Sequence, residues 1–199
     1  MRTAHGLMAG FALALGVCAV PVAAASAGMD TIALPIEEAA YELSPNQFVW
    51  QDNNTGEAVS IVVSLSTQRA FVYRGSTMIA ATTISSGKDE KGTPVGTYPI
   101  LQKNESHKSN LYNDAPMPFM QRLTWDGIAI HAGRNPGFPD SHGCIRVPTG
   151  FAKRLFGVTA LGTTVIVTDD FEGGALPHEP LVDAATAEAN ARQLAALDK

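Results

Sequence analysis

The chain has 199 residues, 45% of them hydrophobic and 17% charged, which suffices for one domain with a proper core and excludes both a disordered and a membrane-embedded chain. Its formal charge of −5 argues against nucleic acid as a partner, because phosphate binding needs a basic surface.

The N-terminus has the pattern of a secretory signal peptide: Arg2, a largely apolar run from Gly6 to Val22, and Ala25-Ser26-Ala27 as an A-x-A cleavage site. The chain is therefore expected to be exported to the periplasm or cell envelope, without an integral membrane span once residues 1–27 are removed. A retained anchor is the competing reading, disfavoured by the shortness of the apolar core. Cys18 falls inside this segment and is read as a discarded apolar residue, which leaves Cys144 alone in the mature chain. Exported proteins pair their cysteines or lack them, so a lone thiol calls for an explanation.

Residues 28–57 read as a lead-in, with a short helix over Ile36–Leu43 between Pro35 and Pro45 and a turn cluster at Asp52–Gly56. Val59, Ile61, Val63 and Leu65 alternate with Ser60, Val62 and Ser64, the period of a strand with one buried face. Ala70–Tyr73 and Met78–Ile84 follow as strands at short intervals, implying an antiparallel meander. Ser85–Gly92 is a loop, in which Lys88 is more simply a solvated lysine than a substrate contact. Thr97–Leu101 is extended, with Pro99 marking an edge or a bulge. Lys103–Pro118 is polar and aperiodic and reads as a long loop, a lid or cleft wall carrying His107, Tyr112 and the group Pro116–Met120. Met117, Phe119 and Met120 are either part of that wall or simply core.

Gln121–Thr124 reads as a strand, Trp125-Asp126-Gly127 as a turn, and Ile128–Ile130 as a short strand delivering His131 at its end. Thr149 is a candidate cap for a helix over Gly150–Phe156 with Phe151, Leu155 and Phe156 on one stripe, ended by Gly157. Thr163–Thr168 is the closing strand. An acidic, glycine-rich linker and an alanine-rich helical tail over Ala184–Leu197 occupy residues 170–199.

The chemistry gathers in Ile130-His131-Ala132-Gly133-Arg134 and Asp140-Ser141-His142-Gly143-Cys144-Ile145-Arg146. A thiol needs a neighbour to take its proton, since the thiolate is the nucleophile and a free cysteine has a pKa of about 8.5. His142, two positions from Cys144, and His131, at a strand end, are both within reach, and the pattern points to covalent catalysis by an activated thiolate. Asp126 or Asp140 could orient the base.

Ser141-His142-Gly143-Cys144-Ile145-Arg146, preceded by His131-Ala132-Gly133, resembles the active-site signature of the L,D-transpeptidase (YkuD-type) family. Ser86-Gly87-Lys88 with Thr93-Pro94-Val95-Gly96-Thr97-Tyr98 resembles the family's strand-loop-strand lead-in. The resemblance covers residues 58–169. It implies a mainly β fold, an antiparallel β-sandwich or barrel-like catalytic domain with one or two short helices and the helical C-terminal tail. It implies an exported enzyme that cross-links peptidoglycan stem peptides, donor and acceptor, through a Cys144 acyl-enzyme with loss of the terminal D-alanine. His131 would be the base, with the Ala132 carbonyl orienting it.

Backbone amides of His142, Gly143 and Cys144 would serve the oxyanion, Gly143 permitting a close approach. Arg146, Arg134, Ser141, Met117 and Phe119 are the candidate substrate contacts, with Arg146 leaning towards a structural ion pair. No cofactor is expected. Hydrolysis of the same stem peptides as an L,D-carboxypeptidase or endopeptidase needs the same nucleophile and base. Zinc on His131, His142 and Cys144 falls short of the usual ligand count and lacks paired C-x-x-C spacing. A catalytically dead wall-binding module is disfavoured because nucleophile and base are both present.

Overall fold

The computed structural model describes residues 34–110, 113–174 and 192. The expected leader with Cys18, Tyr112 and the helical tail other than Arg192 lie outside the described residues. Helix α1 (Ile36–Tyr41) is followed by strands β1 (Phe48–Trp50), β2 (Val59–Ser64), β3 (Arg69–Arg74) and β4 (Thr77–Thr83). After a 3₁₀ turn at Asp89–Lys91 come β5 (Gly96–Pro99), β6 (Gln102–Lys108), β7 (Pro116–Arg122), β8 (Ala129–Ala132) and β9 (Ile145–Val147). Helix α2 (Thr149–Val158) and strand β10 (Thr164–Thr168) complete the domain. One sheet has six strands in the order β1-β4-β3-β2-β10-β5 and the other four in the order β6-β7-β8-β9. Among the described residues the fold is mainly β, with two sheets, few helices and no closed barrel. Among the described residues no helix is long and apolar enough to cross a membrane.

The expected meander β2-β3-β4 is present and antiparallel, but the sheets are mixed. β10 lies parallel to β2, and β9 parallel to β8. β2 also departs from the expected single buried face. Ile61 and Val63 enter one core with Val165, Val167, Phe151 and Leu155, while Val62 enters a second core with Phe71, Tyr73 and Ile36. A strand covered on both faces has no reason to alternate in burial.

Part of the second cover comes from the lead-in. Six residues make a marginal helix alone, yet α1 buries Ile36 and Ala40, one turn apart, against the sheet. Its last carbonyls are met by the Arg69 guanidinium, which donates to Ala40 O at 2.9 Å and Tyr41 O at 2.8 Å. β1 then pairs with β4, Phe48 opposite Thr82.

The largest departure is at Lys103–Pro118. The segment is not a loop but most of a hairpin, with β6 paired antiparallel to β7 over Gln102–Arg122. β6 is the outer strand of its sheet and mostly exposed. Ladder hydrogen bonds rather than apolar contacts hold it, and charge on such an edge guards against stray pairing. Its Lys103 reaches inward, Nζ donating to Phe156 O at 2.7 Å and Thr159 O at 2.6 Å, so a cation caps the C-terminal turn of α2. That helix continues through Gly157 to Val158, and Thr159 ends it, amide and hydroxyl both donating to Leu155 O. Thr149 is its first residue rather than its cap. Pro99 closes β5 at a sheet edge, as its missing amide requires.

Candidate active site

β8 and β9 run side by side in parallel, Ile130 opposite Ile145 and His131 opposite Arg146. The register sets Cys144, just before β9, beside the strand that carries His131. Both line one cavity of about 600 Å³, together with His142, Ser141, Arg134, Arg146 and Met117.

Cys144 is half-buried, packed against Met117, Met120 and Ala129. Its thiol donates to the Gly127 carbonyl at 3.3 Å. Burial pushes its pKa up, opposed by a backbone contact to Ala129 and by the Arg146 and Arg122 charges. His131 is 7% exposed. Its Nδ1 lies 2.8 Å from the Ala132 carbonyl, and a carbonyl only accepts, so Nδ1 carries the proton and Nε2 the free lone pair. Burial drives the His131 pKa down to about 4, against the Ala132 bond and with help from the Arg146 and His107 charges. At neutral pH the resting pair is therefore thiol and imidazole, not thiolate and imidazolium.

That shift has a stability consequence. The unfolded imidazole titrates near 6.5 and the folded one at about 4, so between these values the unfolded chain binds more protons. The contribution of His131 is complete above about pH 6.5 and is lost as pH falls through that window, a change of roughly 3 kcal/mol. The fall in urea-unfolding free energy from pH 7 to pH 4 should be smaller by about that amount in His131→Gln. Equal falls in both proteins would contradict the assignment.

The Ser-His-Gly-Cys turn is fastened at several points. Ser141 Oγ donates to Cys144 O at 2.5 Å and accepts from Gly143 N at 3.1 Å. The Gly143 amide is thus engaged within its own loop in the ligand-free chain. Gly143 also supplies backbone freedom, with φ at +115° and Ile128 Cδ1 only 2.7 Å from where a Cβ would sit. Thr93 Oγ1 donates to Gly143 O at 2.7 Å and accepts from Gly87 N at 2.9 Å. Ser85 and Arg146 exchange backbone hydrogen bonds, and Ser86 O accepts from the Asp140 and Ser141 amides. The Ser85–Thr93 loop is therefore the clamp on the cysteine loop. Gly87 is packed so closely that a Cβ would meet Lys91 O at 2.1 Å and Gly143 Cα at 2.8 Å.

Asp140 does not orient His131. Its carboxylate pairs with Arg134 at 2.8 Å, Arg146 at 3.5 Å and Lys88 at 3.9 Å, an ionic knot at the cavity rim. Arg146 accordingly has the structural pairing expected of it while still lining the cavity. Phe119 does not line it. Its backbone adopts φ of +55°, which brings Met117 and Met120, three positions apart, into one cluster with Cys144. The Phe119 ring stacks edge to face on Phe156 instead. Thr93, Gly127 and the Thr149 end of α2 are parts of the site that sequence reasoning missed. Gly127 and Thr149 had no local signal, whereas Thr93 lay within the lead-in motif.

The model of the L,D-transpeptidase catalytic domain matches residues 58–167. No curated protein matches the chain. Among solved structures, an L,D-transpeptidase from Stackebrandtia nassauensis is 22% identical, over 63% of this chain and 61% of its own, with a TM-score of 0.53. One from Enterococcus faecium is 28% identical, over 56% of this chain and 50% of its own, with a TM-score of 0.51. The Ldtfm-avibactam carbamoyl enzyme is 29% identical, over 58% of this chain and 50% of its own, with a TM-score of 0.52. The chain thus spans less than two thirds of each of these structures. With the family model covering more than half of its residues, the chain belongs to the L,D-transpeptidase (YkuD) catalytic domain family.

Proposed function

We propose that the protein is an exported peptidoglycan L,D-transpeptidase acting through a Cys144 acyl-enzyme. The observation that carries this reading is the pairing within one cavity of a lone half-buried thiol with an imidazole held through Nδ1, so that Nε2 is ready to take a proton. As the Cys144 sulfur attacks the carbonyl carbon of the L,D-peptide bond, its proton passes to His131. The C–N bond then breaks, and the departing D-alanine amine takes that proton back. Starting from neutral partners costs no buried charge before substrate arrives. With the Gly143 amide engaged, we assign the oxyanion to the amide of Cys144 itself.

Three cations around the single Asp140 carboxylate leave a positive rim, which suits an anionic stem peptide. The carbamoyl enzyme of Ldtfm supports covalent chemistry in this fold. The N-terminal signal pattern supports export to the periplasm or cell envelope.

Intact-mass analysis of protein recovered from producing cells and then mixed with tetrapeptide muropeptides tests the whole reading. The expected mass is that of a chain cut after Ala27, carrying a tripeptide adduct on Cys144 and yielding cross-linked dimer on turnover. An unmodified Cys144 defeats the catalytic reading, and a full-length mass in the membrane fraction defeats the export reading.

A further inference from the structure

The stretch Gly133–Asp140, between the base and the nucleophile, has no helix or strand of its own, yet it carries Arg134 and Asp140 of the cavity rim. A segment without ladder hydrogen bonds opens cheaply unless something else holds it. Asn135 supplies that hold. It is only 5% exposed. Its Nδ2 donates to Thr83 O at 2.6 Å and to Thr83 Oγ1 at 3.2 Å, and its Oδ1 accepts from Gly137 N at 3.0 Å, closing an Asx turn. Phe138 O then accepts from Ser85 Oγ at 2.9 Å.

Thr83, at the end of β4, faces the lead-in as well. Its Oγ1 accepts from Asn46 N at 2.9 Å, and its own amide donates to Gln47 O at 3.2 Å. Pro45 meets the same stretch directly, its Cγ lying 2.7 Å from where a Cβ on Gly137 would stand. The lead-in, Thr83 and Asn135 thus form one continuous chain of contacts, and residues 45–47 precede the stretch 58–167 that the family model matches. The clamp on the cysteine loop uses other atoms: Thr93 Oγ1, Ser141 Oγ and the backbone of Ser85 and Ser86. Losing the Asn135 anchor therefore frees the rim while Cys144 and His131 stay held. Of the cations on Asp140, Arg134 is the most open to an incoming molecule, its side chain 74% exposed against 44% for Lys88 and 23% for Arg146. It is also the direct chain neighbour of Asn135.

We propose that Asn135 is a positioning residue for donor binding: with Thr83 and lead-in residues 45–47 it fixes the Arg134–Asp140 rim, so that Arg134 meets the anionic stem peptide. On the transpeptidase reading given above, on which this rests, the functional unit begins within the lead-in and not at residue 58. The anchor acts on how tightly the donor is held, and the reacting pair supplies the chemistry unaided by it.

The test follows acylation of the intact protein by a tetrapeptide donor across donor concentrations, which separates the half-saturating concentration from the limiting rate. Asn135→Ala should raise the half-saturating concentration roughly ten-fold and change the limiting rate less than about two-fold. Arg134→Gln should do the same, and the double variant should be no worse than either alone, since residues acting through one another are not additive. Alkylation of Cys144 by iodoacetamide, which carries no charge for the rim to hold, should keep its wild-type rate in all three. The lead-in is read through Asn46, whose side chain is exposed and whose φ is +64°. Asn46→Val strains that backbone and should raise the half-saturating concentration, whereas Asn46→Gly, free at this φ, should not. Thr83→Val, which removes the shared hydroxyl, should act like Asn135→Ala, and Thr83→Ser should be silent. These variants carry the same readout if Asn135→Ala does not fold. An unchanged half-saturating concentration in Asn135→Ala, a loss confined to the limiting rate or to alkylation, additivity with Arg134→Gln, or an Asn46→Val that matches Asn46→Gly overturns the proposal and leaves the acyl-enzyme reading intact. Failure of the unmodified protein to be acylated overturns both.

Discussion

His131→Ala should lose acylation of Cys144 by a stem peptide or by a carbapenem-type acylating agent, a fall of about 10²–10⁴-fold. His142→Ala should fall only a few-fold, because the loop keeps its backbone and its Ser141 bonds when that ring is removed. Single-turnover mass spectrometry separates the two variants. The acid limb gives a second reading: the base works only when neutral, so acylation by the unmodified protein should hold down to about pH 5 and halve near pH 4, where burial has placed the His131 titration. Thiol titration should change little in His131→Ala, since the resting imidazole is uncharged. A large drop in His142→Ala with a small one in His131→Ala would reverse the assignment of the base, though not of the nucleophile.

Gly87→Ala should be nearly as damaging from outside the reacting atoms. The added methyl would lie 2.1 Å from Lys91 O, 2.7 Å from Thr93 N and 2.8 Å from Gly143 Cα, all backbone, so no side chain can turn aside to admit it. Overpacking of this kind costs about 1–3 kcal/mol or more. Because the displaced atoms belong to the clamp on the cysteine loop, acylation should fall along with Tm. Thr93→Val separates the two effects. It keeps the volume but removes the hydroxyl between Gly87 N and Gly143 O, leaving buried polar groups without partners at about 1–3 kcal/mol each. Wild-type Tm and acylation in Gly87→Ala would show that the clamp is not needed.

How much of this was legible in the sequence depended on the kind of force at each place. The meander and the closing strand could be read because β-branched residues in short runs between turns leave few alternatives. Cys144 stood out as the candidate nucleophile because a solitary thiol, in the chain expected to remain after export, has so few passive explanations. β6 could not be read, because an edge strand is held by its backbone and its side chains carry no apolar period. The two-faced burial of β2 was hidden because Val62 looks the same whether its face is open or covered by α1. Gly127, whose carbonyl holds the thiol, and Asp140, with its three cations, act through tertiary approach, and no spacing announces that. Gly143 was singled out as permitting a close approach to the oxyanion, whereas its φ of +115° and the contact of its amide with Ser141 Oγ are visible only in coordinates.

The position of β10 bears on how the chain reaches this state. The last described strand is an interior one, parallel to β2 on one side and antiparallel to β5 on the other, with Val165 and Val167 in the main core. Until residues 164–168 exist, β2 has an open edge and β5 has no sheet partner at all. Joining the start of the domain to its end requires closure of a loop of about a hundred residues, an entropic cost that must be met before the core contacts can offset it. Completion of the main sheet therefore waits for residues 164–168, which both cover the free edge of β2 and give β5 its partner.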